Sequence, residues 1–425
     1  MNLIQIPPIN KIETPTPFEY DYYSTGNGIE LYSIPSSHSL ELVKIEVVLN
    51  KGRYDEEKRL SSRFCARMLK EGSENHSSDA INDFFDYYGA DFQVRYHLDY
   101  ASFSLMCIKK YMRKLIPLFF EIIGAPSFNA EELELLKKRA KSKLKLATAD
   151  NDALSFRIIT EKIFGNDHPY GYNSTEDDIT AITIDDLYQF HKRNYRSSFF
   201  KAYISGSIDG DIISMVEEYL YKIPNPVNAN EQSIPEVSAE PPNEFYMKNN
   251  YAFNAQSSIK IGKRIIKRDH DEYLGVHFLN TLLGGFFGSR LMQNIREKEG
   301  LTYNIYSDLE PMKYDAYFII GTDIKTENIK KVLELIYGEI YKLQSTLVGR
   351  EEIRMVRNYI KGYLLSSLDG VFSKAEIVKI LTIEGMDVKW VFDFFEKIDQ
   401  VKSEDIMELA KKYLKKEQLF TVVVN

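Results

Sequence analysis

GGFFGSRLMQNIREKEGLTY, residues 284–303, packs a turn, a helix and the start of a strand into one run. Three glycines open it, and the spacing of Leu291, Ile295 and the intervening charges predicts a helix over SRLMQNIREKEG (289–300). Gly300 stands where that helix must turn tightly into a strand, a place that suits a residue without a Cβ. The turn GGFFGSR lacks the G-K-[ST] ending of a phosphate-binding loop, so it does not read as a nucleotide site.

The elements around this run follow in a definite order. SSIKIGK (257–263) reads as a strand and EYLGVHFLNTLLGG (272–285) as a helix. After the quoted run come an alternating hairpin, YNIYSDLEPMKYDAYFIIGT (303–322), and the helices ENIKKVLELIYGEIYKLQ (327–344) and EEIRMVRNYIKGYL (351–364). The same order occurs earlier in the chain. LVKIEVVLNKG (42–52) is a strand; a helix containing Met68 and Leu69 follows, then a second over SDAINDFFDYYGA (78–90). The hairpin DFQVRYHLDYASFSLMCI (91–108) leads to the helices KKYMRKLIPLFFEIIG (109–124) and EELELLKKRAKSKL (131–144).

Between the two series, residues 223–245 hold five of the 14 prolines and few large apolar side chains, which reads as an extended linker. Strand, two helices, hairpin and two helices, met twice, predict an α+β fold. It has two tandem homologous domains, 1–222 and 246–425, each a mostly antiparallel sheet with helices on one face. Period-2 alternation supports antiparallel sheets. Two unrelated α+β domains are the alternative.

Composition narrows the function classes. The 425 residues are 44% hydrophobic and 27% charged, with a net charge of -8. That balance argues against a nucleic-acid partner. Cys65 and Cys107 are the two cysteines and form no C-x-x-C, so a disulfide framework or thiolate metal site is not expected. No basic-then-apolar leader is visible, and the most apolar window, LIPLFFEIIGAPSF (115–128), is short and carries Glu121. The expectation is a cytoplasmic protein that does not enter a membrane.

At this point the motifs resemble the pitrilysin-like (M16) zinc peptidases, over almost the whole chain. NKGRYDEEKRLSSRFCARMLKEGS (50–73) is similar to the family's G-x-R-x-E segment and H-x-x-E-H helix. GNDHPYG (165–171) resembles its H-P-x-G loop, and TIDDLYQFHKRNYRSSFFKAYISGSID (183–209) the helix and strand that close its first domain. GGFFGSRLMQNIREKEGLTY resembles the signature of its second domain, in which a Gly-rich turn precedes S-R-L and R-E-x-x-G-L-x-Y. The resemblance implies the LuxS/MPP-like metallohydrolase fold and a chamber that encloses an extended peptide.

The departures decide what the resemblance implies about function. The positions matching the two zinc-binding His and the catalytic Glu of H-x-x-E-H are Arg63, Arg67 and Ala66. Zinc needs donors with a free lone pair; a guanidinium has none, and Ala66 cannot serve as a base. The family's third ligand, a Glu on a later helix, falls near Lys143 and Leu144. The seven histidines, His38, His76, His97, His168, His191, His270 and His277, show no ligand spacing. No G-x-S-x-G elbow is present, and Cys65 has no histidine near it in sequence. No metal is therefore expected on this chain.

What matches is the Arg/Tyr pair, Arg296 and Tyr303. The resemblance implies that these two engage the peptide across from a zinc ion, with Gly285, Ser289, Arg290 and Gly300 as further substrate contacts. Some bacterial members work as heterodimers in which one subunit carries H-x-x-E-H and the other the Arg/Tyr pair. The expected role is that second, non-zinc-binding subunit, its partner being an H-x-x-E-H relative that holds the zinc, or a second copy of itself. The alternatives are an idle structural or assembly subunit and an independent peptidase with a relocated metal site. Arg63 and Arg67 are expected to serve packing, to anchor an acidic residue of a partner, or to form surface ion pairs with Glu71 and Glu74.

Overall fold

The computed structural model describes residues 12–24, 28–36, 41–225, 241–252 and 256–425; most of the expected linker, 226–240, and His38 lie outside them. The alternating run 42–49 forms β3 (Leu42–Leu49), the third strand after β1 (Asp21–Ser24) and β2 (Glu30–Pro35). Next come α1 (Ser61–Met68), α2 (Ser78–Tyr87), the hairpin β4 (Asp91–Tyr96) and β5 (Ala101–Ile108), and the helices α3 (Lys109–Gly124) and α4 (Ala130–Ala149). The series ends with α5 (Asn151–Phe164), α6 (Glu176–Ala181), α7 (Ile184–Asn194), β6 (Phe200–Gly206) and α8 (Gly210–Lys222). The strands join in the order β1-β2-β6-β3-β5-β4, antiparallel except for β2 with β6.

The second series repeats this plan: β7 (Glu244–Met247), β8 (Gln256–Arg264), α9 (Tyr273–Leu283), a π-helix over Met292–Lys298, β9 (Thr302–Pro311) and β10 (Ala316–Lys325). Helices α10 (Ile329–Ser345), α11 (Arg350–Ser367), α12 (Val371–Ile383), α13 (Lys389–Lys397) and α14 (Ser403–Tyr413) lead to β11 (Phe420–Val424). The order β7-β11-β8-β10-β9 again has one parallel pair, β7 with β11. In each half the last strand, β6 or β11, is inserted beside β3 or β8.

Alternate residues of β3 tell what covers each face. Val43, Ile45, Val47 and Leu49 point into a core built with α1, α3, α7 and α8. Val48 points the other way, and with Tyr32, Ile34 and Tyr203 it packs against Ala375, Val378 and Leu381 of α12. The second sheet repeats the arrangement in reverse. Ile259 and Ile261 face the helices of their own half, whereas Gly262 lies against Ile159 and Ile163 of α5. So each sheet has its own helices on one face, as the sequence predicts, and its other face is completed by a helix from the opposite half.

Buried charges mark both exchanged helices. On α12, Lys379 Nζ lies 2.7 Å from Glu46 on β3, and Lys44 reaches the other Glu46 oxygen at 2.6 Å. On α5, Asp152 pairs with the buried Lys260 of β8, and Ser155 Oγ meets Ser258 Oγ at 3.0 Å. Burial alone pushes the Glu46 carboxyl up, but Lys379 and Lys44 together hold it below the ordinary value.

Candidate functional site

Two places carry the question of function: the face of α1 and the junction of the π-helix with β9. The chain enters α1 through Leu60 in the left-handed region (φ 73°). Glu56 caps the helix: it accepts from the backbone N–H of Leu60 (3.0 Å) and Ser62 (3.1 Å), from Ser62 Oγ, and from Tyr172 Oη at 2.7 Å. Burial pushes its carboxyl up, and these donors oppose that shift. Arg53 binds the same loop, donating to the carbonyls of Pro169 and Tyr172 at 3.1 Å each, with its guanidinium 4.3 Å over the Tyr172 ring. His168 Nδ1 accepts from Tyr170 N–H and Nε2 meets Tyr54 Oη at 3.1 Å. The GNDHPYG loop is therefore a brace for α1.

On that braced helix Ala66 is wholly buried, and Arg63 and Arg67 are half-buried. Lys143 is exposed and Leu144 packs into the first core, so neither offers a ligand. Two guanidiniums and a methyl group do not fit a zinc ion. Among the described residues no group of three or more His, Cys, Asp or Glu side chains is placed to hold a metal. The expected ion pairs with Glu71 and Glu74 do not form: neither arginine has an ion pair or hydrogen bond among the described residues, and Glu71 instead meets Ser78 Oγ. Burial, then the charge of Arg67, lowers the pKa of Arg63.

At the second place, the helix expected over 289–300 is π-helical across Met292–Lys298. The wider turn keeps Leu291, Met292 and Ile295 buried, and π segments occur often at functional sites. Gly300 takes φ +62° with open space around it, so the backbone turn itself explains the glycine. Arg296 Nε then donates to the carbonyl of Tyr303 at 2.9 Å, its guanidinium lies 5.0 Å over Phe287, and it pairs with Glu297. Tyr303 is 88% exposed on β9, the outer strand of its sheet. Arg296, Gly300 and Tyr303 line a cleft of about 500 Å³ with Gln256, Asp323 and Lys325.

The other residues expected at substrate are placed differently. Arg290 is held in a two-pronged pair with Glu352 of α11, both contacts 2.8 Å, and Ser289 is 1% exposed. A Cβ on Gly285 would come within 2.7 Å of Thr281 Cα, and one on Gly284 within 2.4 Å of Ser307 N. Gly284 lets the end of α9 approach β9 closely, Gly285 folds back on α9 itself, and Gly285, Ser289 and Arg290 do not line the cleft beside Tyr303.

Sequence reading missed a second cavity of about 460 Å³, lined by Arg268, Tyr273, His277, Tyr306, Tyr363 and Trp390 among others. The signal was a lone histidine in the apolar run EYLGVHFLNTLL. Burial, then the charge of Arg268, lowers His277 to a pKa of about 4. The unfolded chain takes up this proton first, so the stability it confers is complete above pH ~6.5 and is lost as pH falls towards 4. Urea unfolding at pH 7 and 4.5 should show about 2–3 kcal/mol less acid sensitivity in His277→Phe than in the parent. An unchanged pH slope would contradict it.

With the geometry in place, comparison with known proteins identifies the class. The profile described as Insulinase (Peptidase family M16) matches residues 33–171, and that described as Peptidase M16 inactive domain matches 181–360. The chain belongs to the peptidase M16 family. It is 21% identical to the uncharacterized zinc protease YmxG of Bacillus subtilis over 83% of this chain and 85% of that one. It is also 21% identical to the probable inactive metalloprotease YmfF of the same organism, over 71% of each. The non-peptidase homolog YmxG of Helicobacter pylori is 22% identical over 69% of this chain and 70% of its own. A peptidase M16 inactive domain from Pseudomonas fluorescens superposes with a TM-score of 0.84 at 22% identity, covering 96% of this chain and 98% of that one. Among the described residues no helix is long and apolar enough to cross a membrane.

Proposed function

We propose that this chain is the non-zinc-binding subunit of a two-chain M16-type peptidase, completing the active site of an H-x-x-E-H partner with Arg296 and Tyr303. The observation that carries this reading is the setting of Tyr303. Its backbone is clamped by Arg296, its side chain is 88% exposed at a cleft, and its phenol has no partner among the described residues. A phenol held this way can donate to a peptide carbonyl as that oxygen becomes an oxyanion, and an arginine beside it adds positive charge. The metal chemistry belongs to the partner. The peptide would lie extended, with its backbone adding to a sheet edge.

A second reading, an idle assembly subunit, is favoured by the Arg296–Glu297 pair and by the inactive homologues the chain resembles. Mixing separates the two. The chain, an H-x-x-E-H relative and their mixture are each assayed in excess zinc with a quenched peptide library. Cleavage that rises well above the sum of the parts in the mixture supports the two-chain peptidase. No gain from mixing removes that partner and leaves the idle subunit.

A further inference from the structure

Three other half-buried arginines are spoken for. Arg53 donates to two carbonyls and to Tyr96 Oη, Arg268 pairs with Glu384 at 2.8 Å, and Arg290 pairs with Glu352. Arg63 and Arg67 differ from these three: they are two like charges on one face of α1, neither with a counter-ion among the described residues. The carboxylate at the start of the helix, Glu56, is already saturated by four donors, and Glu71 turns to Ser78. Partly desolvated charge without a partner raises the free energy of the empty state, so an arriving anion gains what those groups lack.

The surroundings specify the anion. α1 packs against β4, which is the outer strand of its sheet. Tyr96, at the end of β4, has its hydroxyl 3.4 Å from Ser62 Oγ, one residue before Arg63 on α1. An extended segment pairing along β4 therefore runs past Arg63 and Arg67, and two planar forks present ten N–H donors in the geometry that matches a carboxylate. On a chain of net charge -8 the attraction is local to this face.

We infer that Arg63 and Arg67 form a carboxylate-recognition site that selects acidic extended peptides, taking either a Glu or Asp side chain or the C-terminal carboxylate. This rests on the peptide-binding part of the proposed function and is independent of the role of Tyr303.

Three fluorescein-labelled ten-residue peptides test it by anisotropy on the full chain. The first has a central Glu-Glu and an amidated C-terminus; the second has Gln-Gln and is amidated; the third has Gln-Gln and a free carboxylate. At least one carboxylate-bearing peptide should bind tenfold or more tightly than the amidated Gln-Gln peptide, and which one does so identifies the source of the carboxylate. In the Arg63→Gln/Arg67→Gln variant that preference should vanish while affinity for the amidated Gln-Gln peptide holds. Arg67→Lys, which keeps the charge and loses the fork, should fall between. Because neither arginine has a partner to lose and the two repel each other, the urea midpoint of the double variant should equal or exceed that of the parent, and the single Arg67→Gln variant is measured beside it. Equal binding of all three peptides, or a preference that survives both substitutions, overturns the carboxylate site and leaves peptide binding standing. No binding of any peptide overturns both.

Discussion

Tyr303→Phe in this chain should lower kcat of the two-chain mixture by about 10²–10³-fold, the cost typical of one lost oxyanion donor. The substitution removes one oxygen from a side chain that is 88% exposed and bonded to nothing in its own chain among the described residues. Its backbone, gripped by Arg296, is unaffected. Stability should therefore be unchanged, and any lost rate is chemical. If the hydroxyl acts only on the developing oxyanion, kcat and kcat/KM fall together and KM stays put. A rise in KM alone would make Tyr303 a binding residue. Rates within twofold of the parent would remove Tyr303 from the chemistry and favour the idle subunit.

Lys379→Met should destabilise the protein by about 3–5 kcal/mol, as loss of one partner from a buried ion pair does. It leaves Glu46, whose side chain is 7% exposed, with only Lys44, itself 24% exposed. The double variant Glu46→Leu/Lys379→Met should recover most of that loss, because a matched apolar pair carries no uncompensated charge. The contribution of the pair to stability also has a predictable pH window. Glu46 has a depressed pKa in the folded state, so its contribution is present above the ordinary glutamate value of ~4.3 and is lost as pH falls below it. Urea unfolding followed through Trp390, the one tryptophan, reads this directly, since its ring lies on α13 beside Tyr273 and Phe394. A loss below about 1 kcal/mol would mean that Lys44 suffices for Glu46.

The elements that the sequence predicts are those whose partners are local. β3, both hairpins, α3 and α10 show their period because each has one apolar face turned to its own half. The exchanged helices were not legible. VFSKAEIVKILTI (α12) is apolar on several sides, since it is wedged between halves, and Lys379 reads as a solvated charge until Glu46, 333 residues away, is brought beside it. At the candidate site, Arg296, Gly300 and Tyr303 were found from a motif, and the structure groups them at one cleft. Motif spacing does not reveal that Arg290 is committed to Glu352, nor that the segment around Arg296 winds with a wider turn. The loss of ligands at Arg63, Ala66 and Arg67 was visible from residue type alone. The missing counter-ions were not, because Glu71 and Glu74 sit at plausible spacing in sequence, yet Glu71 meets Ser78 and Glu74 pairs with neither arginine.

The exchange of α5 and α12 has a consequence during synthesis. When β6 leaves the ribosome, all six strands of the first sheet exist, yet the helix that covers Tyr32, Ile34, Val48 and Tyr203 has not been made. At about 5–20 residues per second, α12 follows roughly ten to thirty seconds later. For that interval the nascent N-terminal half presents an apolar sheet face with Glu46 at its centre held by Lys44 alone, a surface that a chaperone holding unfolded chains would recognise. A ribosome stalled before residue 371 should carry a protease-sensitive first half that becomes resistant once α12 is released.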